Sequence, residues 1–376
     1  MNRTKVLITG ANGFIGRNLV VKLKEIRDYE VTTFLRTDSY HDLHTKVIAA
    51  DIIIHLAGVN RPKKDDEFRK DNLELTEEIS KILSSKKHKA LVIFSSSLQA
   101  THDNAYGKSK FDAENILKDL NKINGNPVLI YRLPGVFGKW CKPNYNSVVA
   151  TFCHNISNNI PIHIAEENKN LVLVHIEDVV ESFLDDCKNN HDGVTYAEIE
   201  NLYEITIGDL ADKIRSFYNS RFSLINERVG VGFTRALYST YLSYLSTKDF
   251  AYSIPSHDDE RGSFVEMLKT KDSGQFSFFT AKPGITRGGH YHHVKTEKFL
   301  VIKGNAKFNF EHILSNETHS IETSSDKPVI VETIPGWSHD ITNIGSDDLI
   351  VMLWANEIFD KDRPDTIPKE VNFEKT

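Results

Sequence analysis

A tyrosine and a lysine four positions apart, Tyr106 and Lys110, are the residues of the N-terminal half best suited to acid–base chemistry. On a helix this spacing places both side chains on one face. An ammonium group beside a phenol lowers the pKa of the phenol, so the pair could exchange a proton with a substrate oxygen near neutral pH. Ser95, Ser96 and Ser97 end the preceding apolar run, where a hydroxyl could hold that oxygen. The pattern predicts a catalytic site at a strand–helix junction.

A second group of reactive side chains lies in the C-terminal third. Counted from Gly284, the segment reads G-x5-H-x-H-x4-E-x6-G, and "PGWSHDITN" follows it further along the chain. On a strand, residues two apart face the same side, so His290 and His292 should point together. Three neutral imidazoles and one carboxylate suit zinc or another divalent transition metal. We therefore predict a divalent metal site, with zinc as the expected ion, held by His290, His292, Glu297 and His339.

Two further side chains of this segment, His293 and Lys298, flank the predicted ligands. On the same alternation they should point to the side of the strand opposite the predicted ligands. We expect both to belong to the protein surface rather than to the site.

A third motif opens the chain. In "VLITGANGFIG" three glycines, Gly10, Gly13 and Gly16, follow a predicted strand and lead into a predicted helix. Glycines let the backbone approach a pyrophosphate, and the helix N-terminus favours its negative charge. The second predicted strand ends at Arg36, with no acidic residue there to accept a ribose 2′-hydroxyl. An arginine could pair with a 2′-phosphate instead, which favours NADPH.

The order of predicted elements divides the chain into two parts. In the first, apolar runs such as "KVLITG", "ADIIIHLAG" and "ALVIFSSS" alternate with helical patterns such as "KSKFDAENILKDLNKI". This alternation predicts an α/β domain with a doubly wound parallel sheet of the Rossmann type. From about residue 255, short strands separated by turn residues predict an all-β barrel. The boundary lies within "STKDFAYSIPS" and predicts domains at residues 1–248 and 249–376.

The first half resembles the extended short-chain dehydrogenase/reductase family, with its glycine turn, its Ser…Tyr-x-x-x-Lys triad and its "HLAG" turn beneath the cofactor. The resemblance implies that Tyr106 donates a proton, Lys110 tunes it and Ser97 orients a carbonyl group. It also implies that Asn72 supports the proton relay. The implied cofactor contacts are Gly10, Gly13, Phe14, Ile15, Gly16, Arg36, Leu56, Ala57, Gly58, Asn72, Ser95, Tyr106, Lys110 and Leu133.

One departure from that family lies between the second and third predicted strands. Only 14 residues separate Arg36 from Asp51, which is enough for one helix but not for helix, strand and helix. We therefore expect the usual third strand and its adenine-contacting acid to be missing.

The histidine motif matches the cupin family, which implies a C-terminal β-barrel. Around it, "DERGSFVE" and "GITRGGHYH" resemble deoxysugar-nucleotide epimerases, which abstract a proton next to a keto group with a histidine at the place of His290. That residue therefore has two open roles, metal ligand or base. The complete set of ligand types favours the ligand.

Over its whole length the chain resembles bifunctional capsular and O-antigen enzymes of the UDP-N-acetyl-L-fucosamine pathway. In that family the cupin inverts carbon 3 of a UDP-2-acetamido-2,6-dideoxy-4-ketohexose. The N-terminal domain then reduces carbon 4 with NADPH to give UDP-2-acetamido-2,6-dideoxy-L-talose. "FGKWCKPNYNSVVATFCHNI" resembles the family's own insert. The residues expected to contact the UDP-activated amino sugar are Lys139, Lys142, Asn144 and Tyr145.

Two alternatives to this function stay open. The protein could be a reductase alone, with a cupin that only stabilises or dimerises it; its product sugar would then carry no solvent deuterium. It could instead be a non-catalytic sugar-nucleotide sensor, against which the intact pair of Tyr106 and Lys110 argues.

Composition narrows the class of partner. A net charge of −6 and a pI near 6.2 argue against nucleic acid, whose phosphates would call for a basic surface. No stretch approaches the ~20 apolar residues of a membrane span. Cys141, Cys153 and Cys187 form no metal or redox motif, and we expect a cytoplasmic protein. Because "DLIVMLWANEIF" is a strongly apolar strand, we also expect a homodimer through the cupin domain.

Overall fold

The computed structural model describes residues 3–60, 68–255, 257–259, 262–264, 267–270, 274–357 and 362–372. The helices of this part of the chain are α1 Phe14–Glu25, α2 Tyr40–Ala49, α3 Leu75–Lys86, α4 Ala105–Asn124, α5 Val148–Ser157, α6 Ile176–Lys188, α7 Ile207–Ser223 and α8 Gly232–Leu242. A π-helical stretch, Arg69–Glu74, leads into α3, and short 3₁₀ turns cover Leu98–Thr101 and Thr247–Asp249.

The strands up to α7 are β1 Thr4–Thr9, β2 Tyr29–Phe34, β3 Ile52–His55, β4 Leu91–Ser97, β5 Val128–Leu133, β6 Gly135–Phe137, β7 Asn170–His175, β8 Val194–Ala197 and β9 Leu202–Thr206. Those that follow are β10 Ile225–Asn226, β11 Ala251–Ser253, β12 His257–Asp259, β13 Gly262–Phe264, β14 Lys269–Thr270, β15 Gln275–Ala281, β16 Thr286–Tyr291, β17 Glu297–Lys303, β18 Asn305–His312, β19 Thr318–Ser324, β20 Val329–Glu332, β21 Trp337–Asn343, β22 Leu349–Ala355 and β23 Ile367–Pro368.

The described chain falls into two compact units. Unit 1 comprises Met1–Ser147 and Leu171–Glu204, and unit 2 comprises Val148–Asn170 and Ile205–Thr376. Helices α5, α7 and α8 therefore group with the C-terminal strands. The domain ranges expected from the sequence, 1–248 and 249–376, stay a prediction.

Unit 1 is built on a parallel six-stranded sheet in the order β2-β1-β3-β4-β5-β8. In this sheet β2 is the edge strand, and the chain passes through α2 straight to β3 on the other side of β1. The expected absence of a strand beyond β2 is therefore confirmed for the described residues. The order reverses at β1, so the carboxyl ends of β1 and β3 flank the point where α/β sheets bind ligands.

Strand alternation divides the apolar side chains of unit 1 between the two faces of the sheet. Val6 and Ile8 of β1 pack with Leu19 of α1 and Phe183 of α6. The intervening Leu7 belongs to the other face, where the apolar residues of α2, α3 and α4 cover the sheet. Burial on both faces explains why these strands read as unbroken apolar runs in the sequence.

Unit 2 contains two antiparallel five-stranded sheets, in the orders β11-β20-β17-β22-β15 and β19-β18-β21-β16-β23. Phe299 of the first sheet packs against Phe308 of the second, with ring centroids 5.7 Å apart. The expected parallel sheet followed by a cupin-type β-barrel is confirmed. Parts of the "DERGSFVE" motif, namely Glu260, Arg261, Val265 and Glu266, lie outside the described residues.

No helix among the described residues has both the length and the apolar composition that crossing a bilayer requires.

Candidate functional site

The glycine turn joins β1 to α1 in unit 1. Gly10 has φ +70°, and a Cβ at this position would lie 2.7 Å from the backbone nitrogen of Ala57, so only glycine fits. Gly13 is the N-cap of α1 and offers no side chain to the first-turn N–H groups, and the first turn holds no acidic residue. These N–H groups are free of the usual side-chain cap, which suits a bound pyrophosphate. The turn therefore fits a dinucleotide cofactor.

The loop after β3 is fixed to this turn through Thr9. The Thr9 hydroxyl accepts hydrogen bonds from the N–H groups of Leu56 and Ala57 at 3.2 and 3.1 Å, and it donates to His55 Nδ1 at 2.7 Å. Nε2 of His55 donates to Thr76, whose own hydroxyl donates to a backbone carbonyl. Burial, followed by repulsion from a nearby ammonium group, lowers the pKa of His55 to about 3. A neutral imidazole with a hydrogen bond at each ring nitrogen therefore holds the predicted cofactor loop in place.

Asn72 lies within the π-helical stretch and is buried. Its carbonyl oxygen accepts from the N–H of Val59 at 2.7 Å, and its amide donates to the Ser109 hydroxyl at 2.9 Å. A Cβ on Gly58 would lie 2.8 Å from Asn72 Oδ1 and 3.4 Å from Lys110 Nζ. The structure thus brings together Gly58, Asn72 and Lys110, which the sequence assigned to one site.

The Ser–Tyr–Lys constellation forms where β4 meets α4. A hydrogen bond joins the hydroxyls of Ser97 and Tyr106, and Lys110 Nζ donates to the Ser95 carbonyl at 2.8 Å. Burial lowers the pKa of Lys110 to about 8, while Glu114 acts in the opposite direction. Burial also raises the pKa of Tyr106, although the hydrogen bond to Ser97 opposes it. The expected lowering of the tyrosine pKa by Lys110 is therefore wrong for this structure, because that ammonium is directed at a carbonyl.

The short connection between Ser97 and Tyr106 consists of a 3₁₀ turn, Leu98–Thr101, and the three residues before α4. Asn104 caps α4 by accepting from the N–H of Gly107 at 2.8 Å. Gly107 is required there because a Cβ would lie 2.0 Å from the Gln99 carbonyl oxygen. The cap starts the helix so that Tyr106 lies in its first turn, beside the last residue of β4.

The other predicted cofactor residues differ in where their side chains lie. Arg36 is exposed just beyond β2, whose last residue, Phe34, pairs with Thr9. Leu133 pairs with Ser97 across β4 and β5. Phe14 and Ile15, by contrast, pack against the apolar core beneath α1.

The predicted substrate loop follows β6. Lys142 lies over the ring of Tyr145 at 5.4 Å, and both are exposed, as is Asn144, whose φ is +54°. Lys139 differs from its neighbours: it is 3% exposed and its ammonium pairs with Glu177 at 2.5 Å. The structure gives Lys139 an internal partner, so its predicted contact with the substrate is not supported.

The four predicted metal ligands converge in unit 2. His290 lies on β16 directly opposite His339 on β21, after a bulge at Gly288–His290, and Glu297 begins β17. One ligand atom from each of His290, His292, Glu297 and His339 lies within 4.8 Å of the others. Glu297 Oε2 is 3.3 Å from His292 Nε2 and 3.5 Å from His339 Nε2.

These distances fit a divalent metal. Ligand atoms about 2.1 Å from a tetrahedral zinc lie about 3.4 Å from one another. His292 is oriented for this role, because its Nδ1 donates to the backbone carbonyl of Asp365 and leaves Nε2 for the ion. Burial and the neighbouring His339 and His292 lower the pKa of His290 to about 3, so its imidazole is neutral as a ligand must be. Among the described residues, these four side chains could hold a divalent ion, and the carbonyl of Asp365 fixes the orientation of one of them.

The prediction that His293 and Lys298 face solvent is wrong. They are 4% and 2% exposed. His293 lies beyond the end of β16, where strand alternation no longer applies. Lys298 points away from the barrel interior, but helix α7 covers that side. Its ammonium pairs with Glu332, which also accepts from Arg221 of α7 at 2.5 Å.

Three residues of these sites have no motif to reveal them. Glu114 is buried one turn after Lys110, Lys295 Nζ lies 2.8 Å from Glu297 Oε1, and Asp365 receives the backbone N–H groups that follow His292. The spacing of Glu114 from Lys110 was the one signal available in the sequence. Asp365 accepts from the N–H of His293, which is 72 positions away, so the sequence holds no local signal for this contact.

Two protein-family models match the chain. Residues 6–197, about half of the chain, match the model described as the NAD dependent epimerase/dehydratase family. The chain belongs to the NAD-dependent epimerase/dehydratase family. In this member of the family, residues 257–367 match a second model, the polysaccharide biosynthesis C-terminal domain.

Similar proteins carry both parts. A Pseudomonas aeruginosa protein named UDP-2-acetamido-2,6-beta-L-arabino-hexul-4-ose reductase is 54% identical over 362 residues, which cover 96% of this chain and 97% of that protein. The crystal structure of the capsular polysaccharide assembling protein CapF from Staphylococcus aureus is 40% identical, with a TM-score of 0.66 and coverage of 97% and 100%. The resemblance to bifunctional capsular enzymes inferred from the sequence is confirmed at the level of the family and its two parts.

A more distant member of the fold is UDP-glucuronic acid 4-epimerase from Bacillus cereus in complex with NAD. It is 18% identical with a TM-score of 0.50, over 57% of this chain and 84% of that one. The likeness supports the epimerase/dehydratase fold alone.

Proposed function

We propose that the protein is a bifunctional sugar-nucleotide enzyme. Its barrel epimerises carbon 3 of a UDP-2-acetamido-2,6-dideoxy-4-ketohexose, and its N-terminal domain reduces carbon 4 with NADPH. The product is UDP-2-acetamido-2,6-dideoxy-L-talose. Its formation is the second step toward UDP-N-acetyl-L-fucosamine. The observation that carries the proposal is the presence, in one chain, of the Ser97–Tyr106–Lys110 constellation and a buried cluster of three histidines and a glutamate.

The substrate class follows from the named relative, a reductase of a UDP-linked 4-keto sugar. A ketone at carbon 4 makes the hydrogens on carbons 3 and 5 acidic. The same group can accept a hydride. A keto sugar therefore offers one substrate to both kinds of site.

The reduction depends on residues of unit 1. NADPH, bound at the glycine turn, would supply the hydride to carbon 4. Ser97 would hold the carbonyl oxygen, and Tyr106 would donate a proton to it as the C–O bond becomes a hydroxyl. Lys110, whose ammonium is held at the Ser95 carbonyl, would supply positive charge to the bound cofactor and substrate.

Epimerisation removes the proton on carbon 3, moves the electron pair onto the carbon 4 oxygen as an enolate, and returns a proton to the opposite face. A divalent ion, with zinc proposed, held by His290, His292, Glu297 and His339 would supply Lewis-acid stabilisation of that negative oxygen. The buried, neutral imidazoles suit ligation, and this supports His290 as a ligand rather than the base. The apolar surroundings, with Phe299 6.2 Å from His339, would limit the access of water.

Recognition of the two nucleotides rests on exposed cations. Arg36, beyond the end of β2, is proposed to pair with the 2′-phosphate of NADPH. Lys142 and Tyr145 are proposed to contact the pyrophosphate and uracil of the substrate, since they are exposed and lie together.

The test is incubation with the UDP-4-keto sugar and NADPH in deuterated water, with the product read by NMR. The proposal expects NADPH oxidation, deuterium at carbon 3 and the talo configuration. Oxidation without deuterium at carbon 3 would leave a reductase with a structural barrel. Binding without any oxidation would leave a sensor.

A further inference from the structure

Three consecutive serines, at positions 95–97, tie the end of β4 to one face of α4. The carbonyl of the first accepts from Lys110 Nζ at 2.8 Å. The hydroxyl of the second donates to Glu114 Oε1 at 2.5 Å, and that of the third shares a hydrogen bond with Tyr106. The three helix residues are spaced by four, so they form one row along α4. Two of the three contacts belong to the proposed reductase site, and the third involves a residue that the mechanism does not use.

That residue, Glu114, has no solvent exposure. Its carboxylate receives Nε and one terminal nitrogen of Arg132 at 2.9 and 2.7 Å, and the Tyr196 hydroxyl at 2.8 Å. Burial acts to raise the pKa of Glu114, but the hydrogen bonds from Arg132, Ser96 and Tyr196 outweigh it and the pKa is lowered. The carboxylate is therefore charged, and it joins α4 to β4, β5 and β8 at once.

We propose that Glu114 is a positioning residue of the reductase site, which sets α4 against β4 so that Tyr106 meets Ser97 and which holds a negative charge one turn from Lys110. The inference rests on the proposed reductase activity. Its geometric part follows from the row of contacts: a shift of α4 along the strand would move all three together. A misplacement of about 1 Å in such a site costs up to about 100-fold in rate.

Its electrostatic part concerns the protonation of Lys110. Burial lowers the pKa of that lysine to about 8, and the charge of Glu114 is what opposes the fall. Loss of the charge should lower the pKa further, so Lys110 would lose its proton at a lower pH. The alkaline side of the rate profile for reduction should then move toward neutral pH.

The experiment compares two variants with the wild type and a control. Glu114→Gln keeps the shape of the side chain and removes its charge. Ser96→Ala removes one contact and leaves the pair of Glu114 and Arg132. The control, Tyr131→Phe, removes a part-buried hydrogen bond to Asp186 on the face of the sheet opposite α4. Thermal melting shows whether each variant folds.

In Glu114→Gln we expect kcat for NADPH oxidation to fall about tenfold or more, with the Kd for NADPH within about twofold of wild type. The alkaline limb should move about 0.5 pH unit or more toward neutral pH. Ser96→Ala should lower kcat without moving the limb. Exchange at carbon 3, which belongs to the barrel, should be unchanged in both variants.

Several results would overturn the inference. One is a Glu114→Gln variant that matches Tyr131→Phe in both kcat and pH profile; another is loss of exchange and reduction in equal measure. If Glu114→Gln does not fold, Ser96→Ala tests the geometric part. Reduction should then fall in this variant while exchange at carbon 3 stays at the wild-type rate. If the wild type itself oxidises no NADPH, the proposed function fails. NMR titration of ¹³C-labelled Lys110 in the folded variants then tests the electrostatic part. A Lys110 pKa that is the same in Glu114→Gln as in the wild type would contradict it.

Discussion

Tyr106 is the side chain through which the reduction can be separated from the epimerisation. Its hydroxyl is the proposed proton donor of the N-terminal site and is not part of the barrel. In Tyr106→Phe we expect NADPH oxidation to fall by about 100-fold or more, because a general acid is lost. The keto substrate should still exchange its carbon 3 proton with deuterated water, which mass spectrometry of the recovered sugar nucleotide measures. Loss of exchange in this variant would contradict the division of labour.

Arg36 sets the expected choice of cofactor. It lies beyond β2, next to the glycine turn, and the sequence places no acid there to bind a ribose 2′-hydroxyl. We expect kcat/KM for NADPH to exceed that for NADH by about tenfold or more, as a charge-assisted contact allows. Arg36→Ala should remove most of this preference without lowering kcat/KM for NADH. Equal values for the two cofactors in the wild type would refute the assignment.

At the scale of the residue, spacing in the sequence was sufficient to predict a site whose residues are close together along the chain. Tyr106 and Lys110 are four apart, and their partners Ser95 and Ser97 end the preceding strand, so the sequence brought them together. Lys139 shows the limit, because its charge looked available in the sequence but is neutralised by Glu177 from a distant helix. Whether a charged side chain is free depends on contacts that spacing does not encode.

The β1–β3 junction predicts a pH dependence of stability. His55 is neutral in the folded state with a pKa of about 3, whereas in the unfolded chain it titrates near its ordinary value of 6.5. Below pH 6.5 the unfolded state therefore binds the extra proton, and stability should fall as the pH drops from 6.5 toward 3. The slope from this residue is at most about 1.4 kcal/mol per pH unit.

Urea unfolding at several pH values measures that slope. The variant His55→Asn should lose stability at pH 7 but show a shallower decline below pH 6.5 than the wild type. His290 and His339, whose pKa values are also lowered, add to the decline in both proteins, so the difference between the slopes isolates His55. Identical slopes would show that this imidazole does not control the acid limit.

The barrel strands predict a bound ion. Because β16 with the residue after its end, β17 and β21 place the four proposed ligands together, we expect about one divalent ion per chain, with zinc the expected metal. His292→Ala should lower the metal content and carbon 3 exchange together. His319→Ala, which changes a barrel histidine outside the cluster, should leave both intact. Elemental analysis that finds no stoichiometric metal in protein never exposed to chelator would rule the ion out and return His290 to the role of base.

At the scale of the element, the sequence predicted the Rossmann sheet and the barrel because their periodicities differ. It also predicted the missing strand, since 14 residues between Arg36 and Asp51 leave room for one helix only. It failed for Lys298, because alternation shows which side of a strand a residue faces but not whether a helix covers that side. The burial of Lys298 beside Glu332 depends on α7, which precedes β17 by many residues.

The whole molecule carries an exposed apolar strand at one edge of the barrel. The expected exposed strand, "DLIVMLWANEIF", instead contains β22, which lies between β17 and β15 and has a buried Trp354. The apolar exposure is on the neighbouring edge strand β15, where Phe276 and Phe278 are 48% and 72% exposed. The apolar surface that a partner could cover is therefore β15 rather than β22.

We still expect a homodimer through this domain, since an apolar edge strand is a surface that proteins usually cover. Light scattering at micromolar concentration should give twice the mass of the chain. Phe278→Asp should shift the protein toward the monomer. Phe222→Asp, which changes an equally exposed phenylalanine on α7, should not. A monomeric wild type would contradict the expectation.

The two sites differ in how far apart their residues lie along the chain, and this sets the order in which they can assemble. The strand–helix junction that holds Ser97, Tyr106 and Lys110 is one short, continuous stretch. The proposed metal site spans His290 to His339, and the carbonyl of Asp365 orients the imidazole of His292. Contacts between neighbours in sequence form faster than distant ones, and domains fold in order as the chain is synthesised. A growing chain can therefore complete its proposed hydride-transfer site long before the last residue needed for the proposed ion site has left the ribosome.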